Sequence, residues 1–159
     1  MILKSKILFF FITVLTAISL ISCKKSKYDV IPDVYVDFYI RLNDPQFFDL
    51  AVPLNSIYVS ALTNNVGPDA AGFDNNGIII YRASEEEFYA YDRTCPHDYA
   101  VNNKSIKVNI VDGIYAVCPA CSTKYALPNF GTPLSGPGRY QLKNYKTGFD
   151  GESVHVWHH

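Results

Sequence analysis

The 159-residue sequence predicts an all-β fold, an antiparallel sandwich or small barrel. Three observations carry that expectation. Short runs of alternating or continuous apolar residues recur along the chain, separated by Gly-, Asn-, Asp- and Pro-containing turns. The 12 tyrosines and 10 phenylalanines fall mostly inside those runs, where aromatic residues suit a pleated, half-buried surface. The turns recur at regular spacing, and there is no internal repeat or low-complexity tract.

The elements follow in order. In Val34–Arg41, Val34, Val36, Phe38 and Ile40 share one face of a strand. Asp44 and Pro45 then start a short helical turn as N-cap and first residue, expected to carry Phe47, Phe48 and Leu50 into the core. Ser56–Leu62 reads as a second strand, and residues 64 to 76, rich in Asn, Gly, Pro and Asp, as a loop. Gly77–Arg82 is a buried strand. It turns at Ser84-Glu85-Glu86 and returns through Phe88–Asp92 as its hairpin partner. A loop containing Cys95 and His97 follows. Ile106–Val111 and Ile114–Val117 are strands joined by the tight-turn signal Asp112-Gly113. A second loop holds Cys118 and Cys121, and later strands are expected at Lys124–Leu127, Tyr140–Tyr145 and Ser153–Trp157.

The first 22 residues read differently. Lys4 and Lys6 precede a 15-residue, mostly apolar run from Ile7 to Ile21, short for a membrane span and suited to a signal peptide. It ends in Leu20-Ile21-Ser22-Cys23, which resembles a bacterial lipobox, in which the cysteine is lipidated. Residues 1–22 are therefore expected to be a lipoprotein signal, 23–33 a lipidated tether and 34–159 one domain anchored to a membrane of the bacterial cell envelope through Cys23. The mature 137 residues (159 − 22) suffice for one domain with its own core. A net charge of −1 gives no electrostatic basis for nucleic-acid binding.

Cysteine arithmetic singles out one constellation. With Cys23 set aside, three of the four cysteines remain, and an exported domain that paired them would strand one. All three stand with a histidine, as Cys95-Pro96-His97 and, after 20 residues, Cys118-Pro119-Ala120-Cys121. Soft thiolates and an imidazole on tight loops are ligands for iron–sulfur clusters and for zinc. Zinc ligand pairs are usually separated by two to four residues, and Cys95 and His97 by only one. A zinc-bound or metal-free envelope module remains the alternative. The signal also lacks the arginine pair with which cluster-loaded proteins are exported folded.

This pattern resembles the Rieske family of [2Fe–2S] proteins, whose motif is C-x-H, a gap, then C-x-x-H. Tyr125, Leu127, Gly131, Gly136-Pro137, Leu142 and Tyr145 fall where that family places an aromatic, a glycine turn, a proline loop over the cluster and a returning strand. The resemblance spans about residues 77 to 157. It implies a Rieske-like antiparallel sandwich with a small cluster-binding subdomain. It also implies a [2Fe–2S] cluster held by Cys95, His97, Cys118 and Cys121, with Cys95 and Cys118 on one iron and His97 and Cys121 on the other. Three departures accompany it. The last ligand is Cys121 and not a histidine, the gap is longer than usual, and Ala100 and Ala120 stand where respiratory members carry a bridging disulfide.

Three thiolates and one neutral imidazole leave an oxidised [2Fe–2S] centre at −1, where two thiolates and two imidazoles leave it at 0. The expected potential lies below the Rieske range of about −150 to +300 mV and above the roughly −400 mV of plant-type ferredoxins. His97 is expected to give one pH-dependent redox step. Thr123 and Tyr125 align with hydroxyls that tune such clusters through hydrogen bonds to sulfur. Asp98, beside His97, is expected to accept its N–H or to cap the loop. Glu85-Glu86-Glu87 reads as a solvated turn, and His155, His158 and His159 as a strand end. With no Ser/His/Asp triad, phosphate loop or paired carboxylates, the chain reads as an electron carrier or redox sensor working with a redox partner protein, and not as a catalyst.

Overall fold

Strand β3, Ile78–Arg82, organises the molecule because both of its faces are buried. Ile78 and Ile80 enter one core, while Ile79 and Tyr81 enter another. A continuous apolar run is what a strand covered on two sides requires. A computed structural model describes residues 29–159. Residues 1–28, including the expected signal and Cys23, lie outside the described residues, and no described helix is long and apolar enough to cross a membrane.

The larger sheet has six antiparallel strands. They are β1 (Val36–Arg41), β2 (Ser56–Val59), β3, β4 (Phe88–Asp92), β9 (Asn144–Phe149) and β10 (Ser153–His158), in the order β1-β10-β9-β4-β3-β2. Val36, Phe38 and Ile40 alternate inward from β1, opposite Val154 and Val156 of β10. The first core lies on the face of this sheet that Val36, Phe38, Ile40, Val154 and Val156 share. The 3-10 turn Pro45–Ala51 covers one opening, with the Asp44 carboxylate accepting from the Gln46 amide as its cap. Phe47 and Leu50 are buried there, but Phe48 is 72% exposed, contrary to the expected inward set. The turn packs one side only, so two adjacent phenylalanines cannot both face the core.

The smaller sheet has four antiparallel strands: β5 (Asn109–Val111), β6 (Tyr115–Val117), β7 (Lys124–Ala126) and β8 (Thr132–Ser135). Its Ala116 and Tyr125 meet Ile79, Tyr81 and Tyr91 of the larger sheet in the second core. The Tyr91 hydroxyl donates to the Leu127 carbonyl at 2.5 Å and ties the two sheets together. The all-β, two-sheet expectation therefore holds, with several differences in detail.

Residues 96–102 form a helix, α1 (Pro96–Asn102), inside the segment expected to be a loop. Strand β2 ends at Val59, where the Thr63 hydroxyl accepts from the Ser60 amide and turns the chain, leaving Leu62 fully in solvent. Residues 140–143 are not strand: Leu142 is bound to Gly131 and enters the second core, while Tyr145, on β9, enters the first. Residues 29–33 do not hang free as a tether. Ile31 is buried, and the Lys143 ammonium binds Asp29 at 3.1 Å, Asp33 at 2.7 Å and the Ile31 carbonyl at 3.4 Å.

Candidate metal centre

Two loops at one end of the smaller sheet carry the cysteines. At the end of β4, the buried Asp92 carboxylate accepts from the Phe73 amide (2.6 Å), the Thr94 amide (2.8 Å) and the Tyr145 hydroxyl (2.7 Å). This fixes the approach to Cys95. Cys95 is the N-cap of α1 and Pro96 its first residue, and Asn103 ends the helix in the left-handed conformation. The second loop joins β6 to β7. There the Cys118 amide donates to the Thr123 carbonyl (3.0 Å) and the Ser122 amide to the Cys118 carbonyl (3.0 Å). The turn presents Cys118 inward and leaves Cys121 half-buried beside exposed Pro119 and Ala120.

Three sulfurs and one carboxylate converge. One ligand atom each from Cys95, Asp98, Cys118 and Cys121 lies within 4.8 Å of all the others. Cys95 Sγ and Cys121 Sγ are 3.7 Å apart, and the Cys118 thiol donates to Asp98 Oδ2 at 3.0 Å. Two thiolates about 2.3 Å from one tetrahedral ion would stand about 3.8 Å apart, so the donor set and its spacing fit a metal. The three cysteines singled out in the sequence are thus brought together. His97 is half-buried, and its ring is not part of the group.

Burial sets the electrostatics. It pushes the Cys95 thiol up to about 11 and raises the Cys118 thiol further, where the Asp98 carboxylate adds to the effect. Burial also acts to raise the Asp98 carboxyl. Hydrogen bonds from Cys118, Cys121 and Cys95, with Asn102, outweigh it and hold that carboxyl below its ordinary value. The two tuning candidates touch the sulfurs directly. The Tyr125 hydroxyl is 3.3 Å from Cys95 Sγ, and the Cys121 thiol donates to Thr123 Oγ1 at 3.2 Å. Thr123 Oγ1 also accepts from the Gly138 amide at 3.0 Å. Gly136, at φ +89°, would place a Cβ 2.7 Å from Thr123 Cα, so only glycine lets this loop lie so close.

Asp98 is the site residue whose place the sequence least conveyed. The signal was its three-residue spacing from Cys95, which carries meaning only once the segment is known to be helical.

No family model and no curated protein sequence matches the chain. Among solved structures it is similar to a chain of the complex of reduced oxygenase and oxidized ferredoxin in carbazole 1,9a-dioxygenase, at 20% identity and a TM-score of 0.44, covering 75% of this chain and 92% of that one. It is similar also to the ferredoxin of carbazole 1,9a-dioxygenase from Nocardioides aromaticivorans IC177, at 16% identity and a TM-score of 0.45, covering 78% and 97%. The Sphingomonas yanoikuyae B1 ferredoxin is a third, at 15% identity and a TM-score of 0.46, covering 70% and 94%. All three likenesses are distant.

Proposed function

We propose that this chain is an electron carrier of the bacterial cell envelope, lipid-anchored at Cys23, in which Cys95, Cys118 and Cys121 hold an iron–sulfur cluster of the [2Fe–2S] type. The observation that carries this reading is the convergence of three thiols, from loops more than twenty residues apart, into one group with a carboxylate. Ionising such a set without a cation is costly, as the raised Cys95 and Cys118 show, and a bound metal supplies the missing positive charge. When bound, the cluster supplies one-electron transfer.

The protein's own groups position and tune it. Tyr125 and Thr123 offer hydroxyls to Cys95 and Cys121, and the cores behind them exclude water. Cys121 stands near the surface, between exposed Ala120 and Ser122, where a redox partner protein could dock. The fourth donor comes from the first turn of α1. The lipobox-like Leu20-Ile21-Ser22-Cys23 and the lysines around it support the anchor.

A second reading has a specific observation in its favour. All four donors lie within 4.8 Å of one another, which suits a single tetrahedral ion such as zinc without rearrangement. A two-iron cluster, whose irons each take two donors, requires the loops to part. Iron, zinc and acid-labile sulfide analysis after anaerobic purification separates the two. Iron with equimolar sulfide, and a paramagnetic signal on dithionite reduction, is the expected outcome. A colourless protein with one zinc, or with no metal, overturns the electron-carrier reading. Cys23→Ala is expected to release the protein from the membrane fraction, and retention there would overturn the anchor.

A further inference from the structure

We infer that Asp98, and not His97, supplies the fourth ligand, so that the centre is three thiolates and one carboxylate. The inference rests on the metal-binding reading above and identifies its last donor.

It follows from the helix. The C-x-H spacing suits a tight loop, in which Cys95 and His97 could reach one ion. The segment is instead helical from Pro96, with Cys95 as N-cap. At 3.6 residues per turn, side chains three apart share a face and those two apart do not. Asp98 is three residues from Cys95 and points with it toward Cys118 and Cys121. His97 is half-buried, and its ring nitrogens are not among the converging ligand atoms.

The charge of the site agrees. Asp98 is 4% exposed. Among the described residues its carboxylate has no lysine, arginine or histidine partner, and its hydrogen bonds come from the thiols of Cys118, Cys121 and Cys95 and, at 3.4 Å, the Asn102 amide. A buried carboxylate is normally paired or bound to a metal. Here the other side chains around it are thiols, which are themselves metal ligands once ionised. The unmet need is a cation, and it lies where the three sulfurs converge.

Co(II) titration of the purified chain provides the test, because thiolate-to-cobalt charge transfer and the ligand-field bands report the donors without any redox activity. Asp98→Asn is expected to weaken Co(II) binding roughly 100-fold, the upper end of what even an outer-shell partner costs. Asp98→Cys is expected to restore binding and to raise the charge-transfer intensity by about one-third, four thiolates in place of three. His97→Ala is expected to leave affinity and spectrum unchanged. In iron-loaded protein, pulsed paramagnetic resonance is expected to show no strongly coupled imidazole nitrogen. The inference is overturned if His97→Ala loses binding while Asp98→Asn keeps it, if Asp98→Cys adds no charge-transfer intensity, or if a coupled imidazole nitrogen disappears with His97. Cobalt that fails to bind the unsubstituted chain, or binds equally when Cys95, Cys118 and Cys121 are all replaced by serine, overturns the metal-binding reading itself.

Discussion

Replacing Tyr125 by phenylalanine removes one oxygen from the interior of the second core and leaves the ring in place. Tyr125 is fully buried, and its hydroxyl hydrogen-bonds Cys95 Sγ at 3.3 Å. Burial raises its pKa, with the Cys95 contact adding to the effect, so the group stays protonated and acts as a donor whenever Cys95 is a thiolate. A hydrogen bond to a charged acceptor contributes about 1.5–3 kcal/mol, against about 0.5–1.5 for a neutral pair. Reduction adds one negative charge to the centre. The bond is therefore stronger in the reduced state, by no more than the difference between those ranges, or about 1 kcal/mol. At roughly 59 mV per tenfold change for one electron, that corresponds to ~45 mV. Tyr125→Phe is expected to lower the midpoint potential by about this amount in a redox titration followed by the paramagnetic signal. Tyr91→Phe is the control. Its hydroxyl lies in the same core but donates to the Leu127 carbonyl, and its loss is expected to cost stability without moving the potential. A Tyr125→Phe potential that is unchanged or higher, or one matched by Tyr91→Phe, would refute the assignment of this hydroxyl to the sulfur.

Lys143→Met removes the ammonium that holds residues 29–33. Asp29 and Asp33 are partly exposed and can rehydrate, so the cost is expected at about 1–3 kcal/mol, below that of breaking a fully buried pair, read from the denaturant midpoint; an unchanged midpoint counts against the clamp. Gly136→Ala places a Cβ 2.7 Å from Thr123 Cα at φ +89°, and strain plus overpacking is expected to cost about 2–5 kcal/mol. Gly151→Ala, at φ +99° with nothing within 4 Å, carries only the backbone cost, and equal thermal shifts for the two would exclude steric contact as the cause. Burial raises the pKa values of Tyr91, Tyr125 and Tyr145. The unfolded chain therefore releases their protons first, and this contribution to stability is whole below about pH 10 and lost as pH rises beyond it, by up to about 1.4 kcal/mol per pH unit for each tyrosine. Urea midpoints measured above pH 10 are expected to fall, and to fall less steeply in Tyr91→Phe.

The larger sheet was legible because its signals are local. The alternation in Val36–Ile40 and the cap Asp44-Pro45 each specify their structure within a few residues, as the turn Asp112-Gly113 does in the smaller sheet. Asp112 and Gly113 both take positive φ in the three-residue loop between Val111 and Tyr115. Strand β8 was not among the expected strands; it carries Pro133, which the structure accommodates because β8 is an edge strand of the smaller sheet. Helix α1 is only seven residues long, too short for an apolar period to appear. Its start signals, Pro96 in the first turn and Asp98 soon after, coincide with a motif that suggests a loop. The clamp on residues 29–33 depends on a lysine 110 residues or more away in sequence, which no local pattern can show. The cysteines of the site were legible as a set because their count is odd and their spacing distinctive. Its carboxylate was not, because its direction depends on the helix.

Thr123 shows how the loop and the sulfurs are coupled. Its hydroxyl oxygen is held by the Gly138 amide, and Gly136 and Gly138 crowd its backbone and side chain so closely that neither can bear a Cβ. With Cys121 as a thiol, the sulfur donates to that oxygen. Once Cys121 ionises on a metal, the donor must reverse, and a hydroxyl can do so by rotating its hydrogen while the oxygen stays on the Gly138 amide. No backbone movement is needed. A carbonyl in this place could accept from the thiol but could not donate to the thiolate. The threonine hydroxyl thus serves both states of the site, and the glycines on either side of Pro137 hold it there. The Gly136–Gly138 loop is in this sense part of the candidate metal centre, although it contributes no ligand.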